Sequence, residues 1–112
     1  MTTNALKTAP GKPAGSSWTF LTNHAHVLLC LSRDPSMRMR DIAALVGVTE
    51  RAVQRIIAEL EEGGFVERTR QGRRNEYGID RAKQLRHPLE ENCPVGELLD
   101  LLHHAGKHDT NT

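Results

Sequence analysis

Arg51, Gln54 and Arg55 stand at i, i+3 and i+4. On a helix that spacing gathers them on one face. A guanidinium fork matches the O6/N7 edge of guanine, and a carboxamide matches the N6/N7 edge of adenine. The three together therefore have the chemistry to read base edges in a major groove. The plain alternative is a solvated face, with Arg51 or Arg55 paired to Glu50 or Glu59. A second basic group follows at Arg70, Arg73 and Arg74, side chains suited to phosphates and narrow minor grooves; the plain alternative is a solubilising loop. Arg38 and Arg40 open the preceding helical stretch and are expected at the DNA backbone. Thr49 can cap a helix and touch a phosphate. Glu59, Glu61 and Glu62 fall at the far end and are expected to point away from DNA.

Other chemistries find less support. His24 and His26 are two apart, so on a helix they point in different directions and do not share an ion. Cys93, His103, His104 and His108 are zinc-ligand types, but their spacing forms no tight motif, and we expect no metal and no cofactor. Cys30 is expected in the core and Cys93 as an accessible thiol. Gly-rich phosphate loops, nucleophile motifs and recognisable carboxylate pairs are absent, and the chain is short for a large substrate pocket, so the expectation is not an enzyme.

The elements that must position the basic groups follow from periodicity. Ile42, Leu45 and Val46 form an apolar stripe at helical spacing, with the small Ala43 where two helices cross. Gly47 stops that helix, since Gly readily takes the left-handed turn conformation. Val48 plugs the turn and Thr49 caps a second helix. In it Val53, Ile56, Ile57 and Leu60 recur at the 3.6 period, leaving Glu50, Arg51, Gln54, Arg55 and Ala58 outward. Gly63-Gly64 ends it. Phe65–Thr69 and Glu76–Ile79 are strand candidates around a polar loop, Arg70–Asn75. This order is a helix-turn-helix followed by a basic wing.

Upstream, Trp18, Phe20 and Leu21 begin the folded part. Thr22 or Asn23 caps a first helix running to about Ser32, with Val27, Leu28 and Leu31 inward and His24 one turn earlier. Pro35 ends it. Met37–Met39 is expected to be extended, at the place of a small third strand. Downstream, Asp80 caps a turn over Arg81–Gln84, Leu85–Leu89 is irregular, and Glu90–Pro94 is a polar loop. A last helix, Val95–Leu102, is apolar at Val95, Leu98, Leu99, Leu101 and Leu102. It either completes the domain's own core or packs on a second subunit. We expect the latter, with Trp18, Val95, Leu98, Leu99 and Leu102 in a homodimer interface.

The 112 residues make one small domain with tails. Residues 1–17 read as a disordered arm, 18–80 as the winged helix-turn-helix, 81–104 as an extension with the apolar helix, and 105–112 as a flexible tail. The net charge of +1 argues against a nonspecific DNA-coating protein, but its distribution is uneven. Arg68–Arg86 holds seven Lys/Arg against Glu76 and Asp80, whereas the segment from His87 onward is acidic. Two cysteines, a start without an apolar leader and a longest apolar run of Val27–Leu31 predict a soluble cytoplasmic protein with no membrane partner.

These residues resemble small bacterial winged-helix transcriptional regulators of the MarR or AsnC type. The likeness rests on Thr19–His26, Asp41-Ile-Ala43, Val48–Arg55, Gly72–Asn75, Leu85–Leu89 and Val95–Leu99, and runs from Trp18 to Leu102. It implies an α+β, mainly α, fold: a three-helix core, a β-hairpin wing and a short C-terminal helix. It also implies a dimeric regulator that binds double-stranded DNA, with a palindromic operator as the partner and the effector unspecified. The rival readings are a winged-helix protein-interaction module and a ligand- or metal-responsive sensor on the same fold.

Overall fold

The computed structural model describes residues 18–111, with side chains through Ala105. The expected N-terminal arm and the His108 side chain lie outside the described residues. The order is α1 (Asn23–Arg33), α2 (Met39–Val46), α3 (Glu50–Glu62), β1 (Val66–Gln71), β2 (Arg74–Ile79), a 3-10 turn (Pro88–Glu90) and α4 (Val95–Asn111). Helices α1, α2 and α3 pack on one another; β1 lies against α3, β2 against α1, and α4 closes on α1.

The core is the predicted apolar set. Val27, Leu28 and Leu31 from α1 meet Ile42 and Ala43 from α2 and Val53, Ile56, Ile57 and Leu60 from α3. Phe65, Val66 and Tyr77 seal it under the hairpin, and Val95 and Leu99 seal it from α4. Truncating one of these large side chains to Ala removes its transfer free energy and leaves a cavity, a loss of about 2–5 kcal/mol. One expected core residue is misplaced. Met39, Ile42, Ala43 and Val46 form the i, i+3, i+4, i+7 stripe of α2 against the core, and Leu45, off that stripe, is 67% exposed.

The turn between α2 and α3 follows from local chemistry. Gly47 takes φ 88°, and its N–H and that of Val48 both donate to the Ala43 carbonyl, at 2.8 and 3.1 Å. Thr49 Oγ1 then accepts the Ala52 N–H at 3.0 Å, as an N-cap does. Arg38 is the backbone N-cap of α2 without a side-chain cap bond. Thr22 holds the same place on α1.

Three expectations about strands and ends are corrected. The hairpin is longer than Phe65–Thr69 and Glu76–Ile79: pairing runs from Val66↔Ile79 to Gln71↔Arg74. The Arg70–Asn75 loop thus shrinks to a two-residue turn at Gly72-Arg73. Gly72 makes it feasible with φ 64°, at the first central position where a tight hairpin turn favours Gly. The third strand at Met37–Met39 does not form. Met39 already begins α2, and one backbone–backbone bond, Tyr77 N–H to the Pro35 carbonyl at 3.0 Å, joins the preceding loop to β2. Pro35 has no N–H with which to return a ladder bond. Finally, α4 continues to Asn111 instead of ending near Leu102, so most of the expected 105–112 tail is helical in backbone.

The segment between wing and α4 is better organised than its irregular sequence suggests. Asp80 Oδ1 accepts the Ala82 N–H as expected. Beyond it, Lys83 and Leu85 pair with Val95 and Cys93: Val95 N–H donates to Lys83 O at 2.8 Å and Leu85 N–H to Cys93 O at 3.0 Å. Gly96 packs on Arg81 so closely that an added Cβ would lie 2.8 Å from Arg81 Cβ and 3.0 Å from its carbonyl oxygen. Arg81 Nη2 donates to Gly96 O at 3.1 Å and to Asp100 Oδ1 at 2.7 Å. Together these contacts clamp the root of the wing to the first turns of α4.

Candidate nucleic-acid interface

The outward face of α3 carries Glu50, Arg51, Gln54, Arg55 and Ala58, all exposed, while its opposite face is spent on the core. Arg51 and Gln54 make no side-chain hydrogen bond or ion pair among the described residues, so their donors are open to a partner. Arg55 is different. Its Nη1 lies 3.7 Å from Glu59 Oε2, an i,i+4 pair, which is the plain alternative the sequence offered for it. An exposed pair of this kind contributes only about 0.3–0.5 kcal/mol and yields readily to a phosphate or base.

The expected wing arginines separate in role. Arg73 sits at the turn, exposed. Arg70 Nε makes a long bond to Gly72 O at 3.4 Å, which bends its stem toward the turn. Arg74 does not project from the tip: its Nη2 donates to the Ser36 carbonyl at 2.7 Å. That bond ties the wing to the loop leading into Arg38 and α2. Arg38 and Arg40 are both exposed at the start of α2, and Thr49 is committed as a cap acceptor with its hydroxyl proton still free to donate. Glu61 is taken up by Arg68 at 3.6 Å.

His24, expected near the first helix, donates from Nε2 to Glu59 Oε1 at 2.6 Å. This bond is the chief reason the Glu59 carboxyl sits below the usual carboxylate range, slight desolvation opposing and the Arg55 charge adding to it. His26 Nδ1 lies 3.0 Å from Asn23 Oδ1, so the two histidines indeed diverge. Burial raises the Cys30 thiol above its ordinary value, Arg33 opposing, and Cys93 is half-buried with its Sγ 3.9 Å from Pro94 O. Among the described residues no three His, Cys, Asp or Glu side chains gather as a cation site, and no helix is long and apolar enough to cross a membrane.

Two features escaped the sequence. An open cleft of ≈ 730 Å³ lies between the start of α1, the end of α3 and residues 85–99, larger than expected for so short a chain. Its floor is apolar, with Leu28, Leu60 and Phe65, and its rim carries His24, Glu59 and Arg86. The expected dimer residues also divide. Val95 and Leu99 are 3% and 2% exposed, taken into the chain's own core and removed from any intersubunit face. Trp18 is 67% exposed and packs edge-to-face on Phe20, Leu101 is 67% exposed, and Leu98 and Leu102 are half-buried. Helical periodicity marked all five leucine and valine positions as apolar, but only the docking of α4 on α1 tells which are used.

The comparisons with known proteins agree with this architecture. The model of the MarR family matches residues 22–73, from the cap of α1 to the tip of the wing. No curated protein matches the chain. Among solved structures, the zinc-dependent MarR family transcriptional regulator AdcR in its Zn(II)-bound state is similar at a TM-score of 0.51 and 20% identity, over 94% of this chain and 67% of that one. Residues 22–73 are thus similar to the MarR family domain, and the fold they belong to is a winged helix.

Proposed function

We propose that the protein is a sequence-specific transcriptional regulator that binds duplex DNA as a homodimer. In this reading α3 enters the major groove, with Arg51, Gln54 and Arg55 at base edges. Arg73 and Arg70 of the wing meet phosphates or the minor groove, and Arg38, Arg40 and Thr49 meet the backbone. The observation that carries it is the free Arg51–Gln54 face of α3 standing beside a tight basic hairpin, on a fold of the MarR type. The division of labour follows from chemistry: phosphate contacts supply salt-dependent affinity and base-edge contacts supply sequence preference.

A single winged helix covers a half-site, so a palindrome calls for two copies with their reading helices about 34–36 Å apart, one turn of the duplex. The exposed Trp18 and Leu101, with Leu98 and Leu102 beside them, favour a dimer through α4 and the start of the fold. Selection of bound sequences from a random DNA pool tests the whole reading. Recovery of an inverted repeat with that half-site spacing supports it. Recovery of no enriched sequence, with elution from heparin at low salt, points instead to a protein-docking winged helix.

The cleft favours a ligand-responsive form of the same function, because it joins an apolar floor to a charged rim next to the end of α3. Zinc dependence belongs to AdcR by its description; a thermal-shift titration with zinc and with apolar organic acids tells the two kinds of effector apart for this chain.

A further inference from the structure

Glu59 stands where the cleft and the reading face meet. One carboxylate oxygen accepts a hydrogen bond from His24 Nε2 at 2.6 Å, and the other lies 3.7 Å from the Arg55 guanidinium. Helix geometry sets the second contact, since positions 55 and 59 are one turn apart. The packing of α1 on α3 sets the first, across 35 residues of sequence. His24 and Glu59 both line the cleft, and Arg55 does not. A single carboxylate is therefore shared between a titratable ring on the cleft side and a cation on the DNA side. While the guanidinium leans back toward Glu59, its fork is turned away from a base edge. A charged imidazolium binds the carboxylate more strongly than a neutral ring and cancels its charge as Arg55 feels it.

We infer that Glu59 is a positioning residue for Arg55, and that protonation of His24 loosens its hold and frees the guanidinium for DNA. This rests on the DNA-binding reading above. The other charged groups facing the pair are Glu62 on α3 and Arg86, His87 and Glu90 on the segment before α4; α4 itself turns Val95, Leu98 and Leu99 to the cleft. On α1, His26 is engaged with Asn23. The sign follows from linkage. DNA that takes Arg55 leaves Glu59 to His24 and favours the protonated ring, so binding takes up protons and affinity rises as pH falls.

The test is a set of DNA affinities at fixed ionic strength at pH 8 and pH 6. It uses the selected site and the full-length chain with His24→Gln, Glu59→Gln, Arg55→Ala, the Glu59→Gln/Arg55→Ala double variant and, as control, His87→Gln. All four positions are solvent-accessible, so the variants should keep the fold. At pH 8, Glu59→Gln should bind about twofold tighter, the size of one exposed i,i+4 pair, and this gain should vanish in the Arg55→Ala background. An equal share of the gain from pH 8 to pH 6 should be missing in His24→Gln and kept in His87→Gln. A Glu59→Gln gain that persists without Arg55 makes Glu59 only a distant charge and overturns the inference, as does an unaltered pH response in His24→Gln. A DNA-free arm separates this from failure of the functional reading. The Arg55 Nε–H resonance should shift with the same pH midpoint as the His24 ring protons, and should lose that shift in His24→Gln. If the wild type binds no DNA, the functional reading fails; a resonance shift that also fails to depend on His24 overturns the positioning role on its own.

Discussion

Leu101→Glu is the sharpest test of the dimer. Leu101 is 67% exposed on α4, whereas its near neighbour Leu99 is 2% exposed in the core. Fully burying a leucine contributes about 1.5–3 kcal/mol, so covering the exposed two thirds contributes about 1–2 kcal/mol. A two-fold interface contains the position twice, so the loss per dimer is about 2–4 kcal/mol. That is a rise of roughly 30- to 1000-fold in the dimer Kd at about 1.4 kcal/mol per decade. The glutamate adds a desolvation cost in the same direction. Sedimentation equilibrium over nanomolar to micromolar protein reads the shift, and circular dichroism checks that the fold persists. Affinity for a full inverted repeat should fall toward that for a half-site. Leu99→Glu should instead unfold the chain, because it buries a charge without a partner. Wild-type protein that sediments as a monomer at tens of micromolar, or a Leu101→Glu protein as dimeric as wild type, refutes an interface on this face of α4.

Arg51→Ala should cost about 1–3 kcal/mol of binding to the selected site with no change in thermal stability, measured by anisotropy and calorimetry. Arg73→Ala should weaken specific and random DNA alike and make the logarithmic salt slope shallower by about 0.9. Arg74→Ala should in addition lower the unfolding free energy by about 1 kcal/mol, through loss of its bond to the Ser36 carbonyl. Gly47→Ala should cost about 1–2 kcal/mol of stability by denaturant titration from its left-handed φ alone, since a Cβ there would meet nothing within 4 Å. Folding raises the Cys30 thiol above its usual value of 9.0. It therefore favours the protonated form, and this share of stability is whole below pH 9.0 and lost as pH rises through the raised value. The denaturation midpoint should fall more steeply above that pH in the wild type than in Cys30→Ala.

The helices were legible because each announces itself locally. Val53, Ile56, Ile57 and Leu60 keep a strict helical period, Thr49 caps, and Gly47 turns. The apolar positions of α4 were legible too, but its partner was not: α4 docks on α1 from more than sixty residues away in sequence, and periodicity reports an apolar face without saying what covers it. The hairpin was read short because Arg70, Gln71 and Arg74 are polar and exposed, and Asn75 polar and half-buried, on a projecting ribbon, where pairing depends on backbone bonds and a Gly72 turn instead of apolar burial. Arg81 looked like one more basic residue. Its partner Asp100 is nineteen positions away, and its seat against Gly96 depends on the missing side chain there. Arg55–Glu59 followed from i,i+4 spacing, whereas His24–Glu59 needed the packing of α1 on α3.

The Arg81 clamp has a consequence for spacing along the duplex. In a dimer built on α4, each wing root is fixed to the helix that meets the partner, so the pair of reading heads is a caliper and the clamp is its pivot. A helix of seventeen residues is an arm of about 25 Å at 1.5 Å per residue. A tilt of about 10° at its base displaces the far end by about 4 Å, on the order of one 3.4 Å base step. Small changes at Arg81, Gly96 or Asp100 should therefore change which half-site separation the protein accepts before they change which bases it prefers.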